Sequence, residues 1–154
     1  MKLKIVAALA SLMMMIGLPG IAMAGSKDVV VSDPWARASI GTSRPGVAYM
    51  TVRNTGDEPV TLAGIRTEIA MMPAIHRTST DDQGVSSMAP AGDIAIAPGK
   101  SIMLQPGGLH AMLMKLRRPM TEGESFPLTL LFSDGGEVNV EVPILGVAAR
   151  GPGN

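Results

Sequence analysis

Glycine and proline interrupt this chain so often that long helices are excluded. The 154 residues include 18 Gly and 12 Pro, and both residues disfavour the interior of a helix. No long segment keeps an apolar period of 3.6 residues. Turn-forming runs such as NTGDEP, DDQG, PGG and DGGE instead separate short apolar or alternating segments. The chain is therefore predicted to be all-β.

The clearest predicted strands lie near the C-terminus. PLTLLF and EVNVEVPI flank SDGGE, and alternate residues of each run are apolar, as a half-buried antiparallel hairpin requires. Comparable runs recur along the chain at the short intervals typical of two packed sheets. We therefore expect a Greek-key β-sandwich of the immunoglobulin-like or cupredoxin-like kind.

Residues 1–24, MKLKIVAALASLMMMIGLPGIAMA, have the pattern of a secretory signal peptide. Two lysines precede an uncharged run that ends in the small-residue site AMA, so we expect cleavage after Ala24 and release into the periplasm without stable membrane insertion. The alternative is a retained anchor, because the uncharged run is just long enough to span a bilayer. The Pro19-Gly20 break favours cleavage, and a chain without Cys cannot carry a lipoprotein signal.

Cleavage would leave one domain of ordinary size. Residues 25–146 are predicted to form the β-sandwich, and residues 147–154 a disordered tail. The whole chain has 13 basic and 13 acidic residues, so loss of the two signal lysines leaves a slight negative charge. That balance gives no indication of a nucleic-acid or anionic-membrane partner. We expect a monomer.

The absence of cysteine restricts the metal chemistry. Exported small domains often use disulfides, and this one must rely on packing. A blue-copper electron-transfer centre requires a Cys thiolate and is excluded. His and Met, in contrast, need no reductant to remain ligands in an oxidising compartment.

Soft donors alternate in the run LHAMLMKL, residues 109–116. If this run is a strand, His110, Met112 and Met114 lie on one face. We interpret His110 and Met112 as a candidate ligand pair, and Met114 as a hydrophobic rim beside it, with alternate ligation by Met114 as the lesser alternative.

A second pair is predicted from the run that ends at His76. Met88 follows His76 across the polar loop TSTDDQG. If that loop is a hairpin centred on Asp82, His76 and Met88 are directly opposed, with Cβ atoms about 4.5–5.5 Å apart. The two pairs together would form a His₂Met₂ site.

Several other residues have simpler interpretations. A single His on the surface or Met in the core would need no functional explanation. Only the spacing of the four candidate residues favours a role in metal binding. We assign Met71 and Met72 to the core or the rim, Arg77 to a solvated face, and Trp35 to the core, with Asp33 and Arg37 fixing its loop.

The spacing resembles the metal motif of the PCu(A)C-type periplasmic copper chaperones. That motif is a His, an optional Met, ten residues, a Met, twenty-one residues and then His-x-Met. Residues 78–87 and 89–109 supply the two gaps, and Arg77 stands at the optional position. The resemblance continues through DPWARA, GVAYMTVRNTGDEPVTL, LQPGGLHAMLM and EGESFPLTLLF, and so covers nearly all of the mature chain.

The resemblance implies a cupredoxin-like sandwich that binds Cu(I) through His76, Met88, His110 and Met112. It also implies transport of copper across the periplasm toward cytochrome oxidase, with an oxidase subunit or another assembly chaperone as the acceptor. The donor chemistry agrees, since neutral, soft thioethers favour Cu(I) over hard ions such as Ca²⁺ and Mg²⁺.

Two alternatives stay open, and an enzyme is not expected. The chain has only two His, both within the copper motif, so a nucleophilic triad lacks a base. A copper buffer without a dedicated acceptor would need the same ligands as a chaperone. A copper-independent interaction module would bind a protein through its sheet edges.

Overall fold

The computed structural model describes residues 26–153, in which ten strands follow a short 3₁₀ turn, Ser26–Asp28. The strands are β1 Val29–Arg37, β2 Gly46–Asn54, β3 Val60–Arg66, β4 Ala70–Thr80, β5 Ser86–Pro90, β6 Ile94–Ile96, β7 Ser101–Leu104, β8 Leu109–Leu116, β9 Ser125–Phe132 and β10 Glu137–Leu145. The all-β prediction is confirmed. The predicted signal peptide, residues 1–24, lies outside the described residues. Within residues 26–153 no helix is long and apolar enough to cross a membrane.

The strands form two sheets that are joined through one strand pair. The order is β5-β4-β8-β7-β2-β1-β10-β9-β3-β6, with β8 also pairing with β2. Most neighbours are antiparallel, but β1 meets β10 in parallel at Ala36 and Ile144, and β7 meets β8 in parallel at a single residue pair. The first six strands of this order make one sheet and the last four make the other.

A bulge in β1 lies where the two sheets join. The register against β2 changes between Ser32 and Trp35, and the intervening Asp33 has a φ of 51°. Pro34 follows and has no N–H to donate to a ladder. A bulge bends its strand, and beyond this one β1 pairs with β10 as well as with β2.

The main core lies between the two sheets and follows the predicted alternation. In the C-terminal hairpin, the side chains of Leu128, Leu130, Val140 and Val142 are buried, with every second residue of β9 and β10 turned inward. The hairpin predicted from PLTLLF and EVNVEVPI is therefore confirmed.

The C-terminal segment differs from the prediction of a disordered tail. Residues 147–153 form turns, and Ala149 is buried against Trp35 and Tyr49 in a second, smaller apolar cluster. The Nε–H of Arg37 donates a hydrogen bond of 2.7 Å to the Ala149 carbonyl. The Arg37 guanidinium lies 5.7 Å from the centre of each aromatic ring, a distance at which cations attract ring faces.

The assignment of Trp35 to the core is confirmed, although this core is the smaller cluster that Trp35 forms with Tyr49 and Ala149. Trp35 is buried, but outside the main core, and its ring centroid lies 4.6 Å from that of Tyr49. Burial raises the pKa of the Tyr49 hydroxyl, and the positive charge of Arg37 opposes that rise. Arg37 thus holds the tail against the aromatic pair, rather than fixing only the loop around Trp35.

The alternation in β9 predicts unequal costs for two neighbouring leucines. Leu130 is fully buried, whereas Leu131 is half-buried on the other face. We expect Leu130→Ala to lower the free energy of unfolding by about 2–5 kcal/mol, and Leu131→Ala to cost clearly less, as measured by urea denaturation. Equal losses would contradict this register, because a slip by one residue exchanges the two faces.

Candidate metal centre

The four motif residues lie on three neighbouring strands at one end of the sheet order. β4 runs between β5 and β8 and is antiparallel to both. Directly paired residues of antiparallel strands project to the same face, and so do residues two apart on one strand. His76, Met88, His110 and Met112 therefore share one face of the sheet.

The two histidines form the centre of this face. His76 of β4 is directly paired with His110 of β8, and their ring centroids lie 6.2 Å apart with an interplanar angle of 54°. The pairing follows from the core, because the preceding Ile75 is buried opposite the buried Ala111. His110 is only 5% exposed, whereas His76 is half-buried.

Met112 lies beside the histidine pair in an apolar setting. It follows His110 by two residues on β8 and is paired with Ala74 on β4 and with Val47 on β2. Its side chain is half-buried. The small side chain of Ala74 leaves space on this face of β4, between His76 and Met72.

Met88 reaches this face by a different register from the predicted one. The prediction placed Met88 directly opposite His76, but the structure pairs Met88 with Thr78 and His76 with Pro90. The direct pairing is therefore wrong. The shift is two residues, which preserves the face, so His76 and Met88 are diagonal neighbours, with Cα atoms roughly 7–8 Å apart. Long side chains still meet across that distance.

The turn between β4 and β5 explains the shift. The Asp81 N–H donates to the Val85 carbonyl at 3.0 Å, which closes a loop centred on Gln83 rather than on Asp82. The Asp81 carboxylate accepts the N–H groups of Gln83 and Val85 at 2.9 and 2.8 Å. Gly84 has a φ of 80°, a left-handed conformation that Gly adopts without cost.

A backbone carbonyl orients the His110 ring. The Nδ1 of His110 lies 3.1 Å from the carbonyl oxygen of Gly108. A carbonyl only accepts, so in the neutral ring Nδ1 carries the proton and donates. That leaves the lone pair of Nε2 free for a metal, the arrangement by which metal-binding histidines are commonly held.

The same carbonyl also ties two strands together. It accepts the N–H of Thr78 at 3.1 Å, and the Gly108 N–H in turn donates to the Gln105 carbonyl at 3.1 Å. Gly107, in the turn between them, has a φ of 82°. This role of Gly108 was not predicted, although the PGG turn before His110 is a sequence signal for a fixed bend there.

The donors on this face are soft and neutral. Within residues 26–153 no group of three or more His, Cys, Asp or Glu is placed to hold a metal ion. The face offers two imidazoles and thioether sulfurs, a donor set that suits Cu(I) better than hard ions. Exposure increases outward from His110 to Met88, which is 58% exposed on the edge strand.

The remaining residues singled out from the sequence lie around the centre. Met114 and Met72 are directly paired on the same face, two positions beyond Met112 and Ala74. Met72 is 48% exposed and Met114 half-buried, in agreement with a rim. Met71 and Arg77 are exposed on the opposite face of β4 from His76. The solvated position of Arg77 is confirmed, whereas the assignment of Met71 to the core or the rim is wrong.

The fold and this face together define a cupredoxin-like sandwich with a cluster of His and Met on one sheet. The family model described as "Putative lipoprotein LpqE-like" matches residues 29–144. A similar curated protein, "Putative lipoprotein Lxx21020" from Leifsonia xyli, is 33% identical over 116 residues, 75% of this chain and 69% of its own length. The chain belongs to the LpqE-like family.

Solved structures with the same fold include copper-related domains. The apo PmoF2 PCuAC domain superposes with a TM-score of 0.64 at 23% identity, over 80% of this chain and 94% of that one. Cu(I)-DR1885 from Deinococcus radiodurans has a TM-score of 0.54 and 34% identity, over 73% of this chain and 76% of that one. These similarities confirm the cupredoxin-like fold and the resemblance to the PCu(A)C family.

The hydrogen bond to Gly108 predicts the tautomer of His110. In the metal-free protein, we expect Nδ1 of the neutral ring to carry the proton. Long-range ¹H–¹⁵N correlation spectra of the His side chains report this directly, with His76 as the internal comparison. A proton on Nε2 of His110 would contradict the assignment, because Nδ1 could then not donate to the carbonyl.

Proposed function

We propose that this protein binds one Cu(I) ion through His76, Met88, His110 and Met112 and acts as a periplasmic copper metallochaperone. The observation that carries the proposal is the shared face of β5, β4 and β8, on which the paired histidines lie next to both methionines. Copper is the cargo in this proposal rather than a resident cofactor.

The donor set supports Cu(I) rather than Zn²⁺ or a hard cation. Structural and catalytic zinc sites draw on Cys, His and carboxylates, whereas two of the four proposed ligands are thioethers. The hydrogen bond from Nδ1 of His110 to the Gly108 carbonyl orients the ring and leaves Nε2 available as a ligand. Such outer partners typically change metal affinity by about 10–100-fold.

The comparisons support the same cargo. Two similar structures are described as a copper-bound PCuAC domain from PmoF2 and as Cu(I)-DR1885. The second is 34% identical to this chain, and the motif of the PCu(A)C family matches at all four proposed ligand positions.

Delivery toward cytochrome oxidase is the finer part of the proposal. The resemblance to the PCu(A)C chaperones suggests an acceptor that is an oxidase subunit or another assembly chaperone. Neutral ligands leave the bound ion with its full +1 charge, so an acceptor that offers thiolates would bind it more strongly. Copper would then move by ligand exchange.

A Cu(I) titration tests the binding. We expect residues 25–154 to take up one equivalent tightly under anaerobic, reducing conditions, in competition with a chromophoric Cu(I) chelator. Met112→Leu conserves volume and removes a ligand, so affinity should fall by at least about tenfold, because even outer-shell changes cost that much. Met88→Leu should act in the same direction.

Met103→Leu is the matched control for these variants. Met103 is 53% exposed on β7, opposite Thr51, and lies far from the proposed ligands along β2. We expect its Cu(I) affinity to equal that of the wild type. Failure of the wild type to compete for Cu(I), or equal affinities of wild type and Met112→Leu, would refute the proposed site and favour the interaction module.

A genetic experiment separates delivery from buffering. In the source bacterium grown at limiting copper, deletion of the gene should lower cytochrome oxidase activity. Wild-type protein should restore the activity and Met112→Leu should not. A buffer predicts a different result, in which deletion lowers tolerance of excess copper and leaves oxidase activity unchanged.

A further inference from the structure

Two more methionines continue the row of donors on the same face. Met72 of β4 and Met114 of β8 are directly paired, and directly opposed residues have Cβ atoms about 4.5–5.5 Å apart. Neither residue belongs to the four-ligand motif. The pair therefore places two thioether sulfurs opposite one another beyond the proposed site.

Met112 lies between this pair and the histidines. Along β8, His110 precedes Met112 by two residues and Met114 follows it by two, so each step along the face is about 7 Å. On β4, the small Ala74 occupies the position opposite Met112. The sulfur of Met112 is thus a neighbour of both donor pairs.

Exposure rises along this row. His110 is 5% exposed, Met112 and Met114 are half-buried, and Met72 is 48% exposed. An ion that moves from His110 past Met112 to Met72 would therefore move from a buried to an accessible position, and Met88, beside the histidines, is a second accessible position at 58% exposed.

We propose that Met72 and Met114 form an exit site that holds Cu(I) transiently as the ion leaves the four-ligand centre. This inference rests on the proposed function. In the transfer step, the copper bonds to Met88, His76 and His110 break while copper–sulfur bonds to Met114 and Met72 form, and Met112 remains bound throughout. The ion stays Cu(I), so no electron or proton is exchanged.

An exit site changes the rate of transfer without changing the affinity. The protein without residues 1–24 retains all ten strands and is loaded with one equivalent of Cu(I). Stopped-flow mixing with excess bathocuproine disulfonate then measures the rate at which copper leaves. We expect the double variant Met72→Leu/Met114→Leu to release copper several-fold more slowly than the wild type, with the same equilibrium affinity.

The control is again Met103→Leu, which removes an exposed methionine from β7. We expect its transfer rate and its affinity to equal those of the wild type. Each single variant, Met72→Leu and Met114→Leu, should slow the release to a smaller extent than the double variant does.

Three outcomes would overturn the inference. Unchanged release by the double variant would mean that the pair is only a rim. A loss of equilibrium affinity would place the pair in the main site rather than on an exit route. Failure of the wild type to bind Cu(I) would refute the proposed function itself, which separates it from the first two results.

Methyl spectra give an independent measurement. With ¹³C-labelled methionine methyl groups, the first equivalent of Cu(I) should shift the signals of Met88 and Met112. An excess beyond that equivalent should shift Met72 and Met114, while Met103 stays unchanged. A shift of Met103 together with Met72 and Met114 would indicate unspecific binding to exposed thioethers and would contradict an exit site.

Discussion

The register between β4 and β8 is the constraint on which the rest of this structure depends. Ile75 and Ala111 pair on the buried face, and this fixes the pairing of His76 with His110 on the other. A slip of β4 by one residue against β8 would turn His76 into the core and Ile75 to the surface. Burial of a polar group without a hydrogen-bond partner costs roughly 2–7 kcal/mol. The pairing of buried residues in the hydrophobic core is therefore enough to bring the two histidines together on one face.

The absence of cysteine gives that face its chemical character. Thiolates would hold a soft ion more strongly, but they carry charge and oxidise in an exported compartment. Thioethers and imidazoles form a neutral set, which binds through softness rather than through charge. Such a set suits an ion that must be held and then given up. The similarity to the structure described as Cu(I)-DR1885 agrees with this chemistry.

Prediction from the sequence succeeded where local periodicity decides the structure. The alternation of β9 and β10 and the common face of His110 and Met112 both follow from a period of two. Prediction failed where particular long-range or side-chain contacts determine the register or the conformation of a segment. The register of Met88 depends on the Asp81 carboxylate, which accepts two backbone N–H groups and moves the centre of the turn. The C-terminal segment is held by Arg37 and by burial of Ala149, contacts that a Gly- and Ala-rich composition does not reveal.

The proposed ligands differ in how firmly the fold holds them, and this difference bears on release. His110 is buried in β8, between β4 and β2, with its ring fixed on the Gly108 carbonyl. Met88 lies on β5, the edge strand, where every residue is exposed. Edge strands with few buried contacts open locally at low free-energy cost. If copper binds as proposed, we therefore expect the Met88 sulfur to separate from the ion first and the imidazole of His110 to separate later, while Met112 stays bound as the ion passes to Met114 and Met72. Retention and release thus reside in different strands of one sheet.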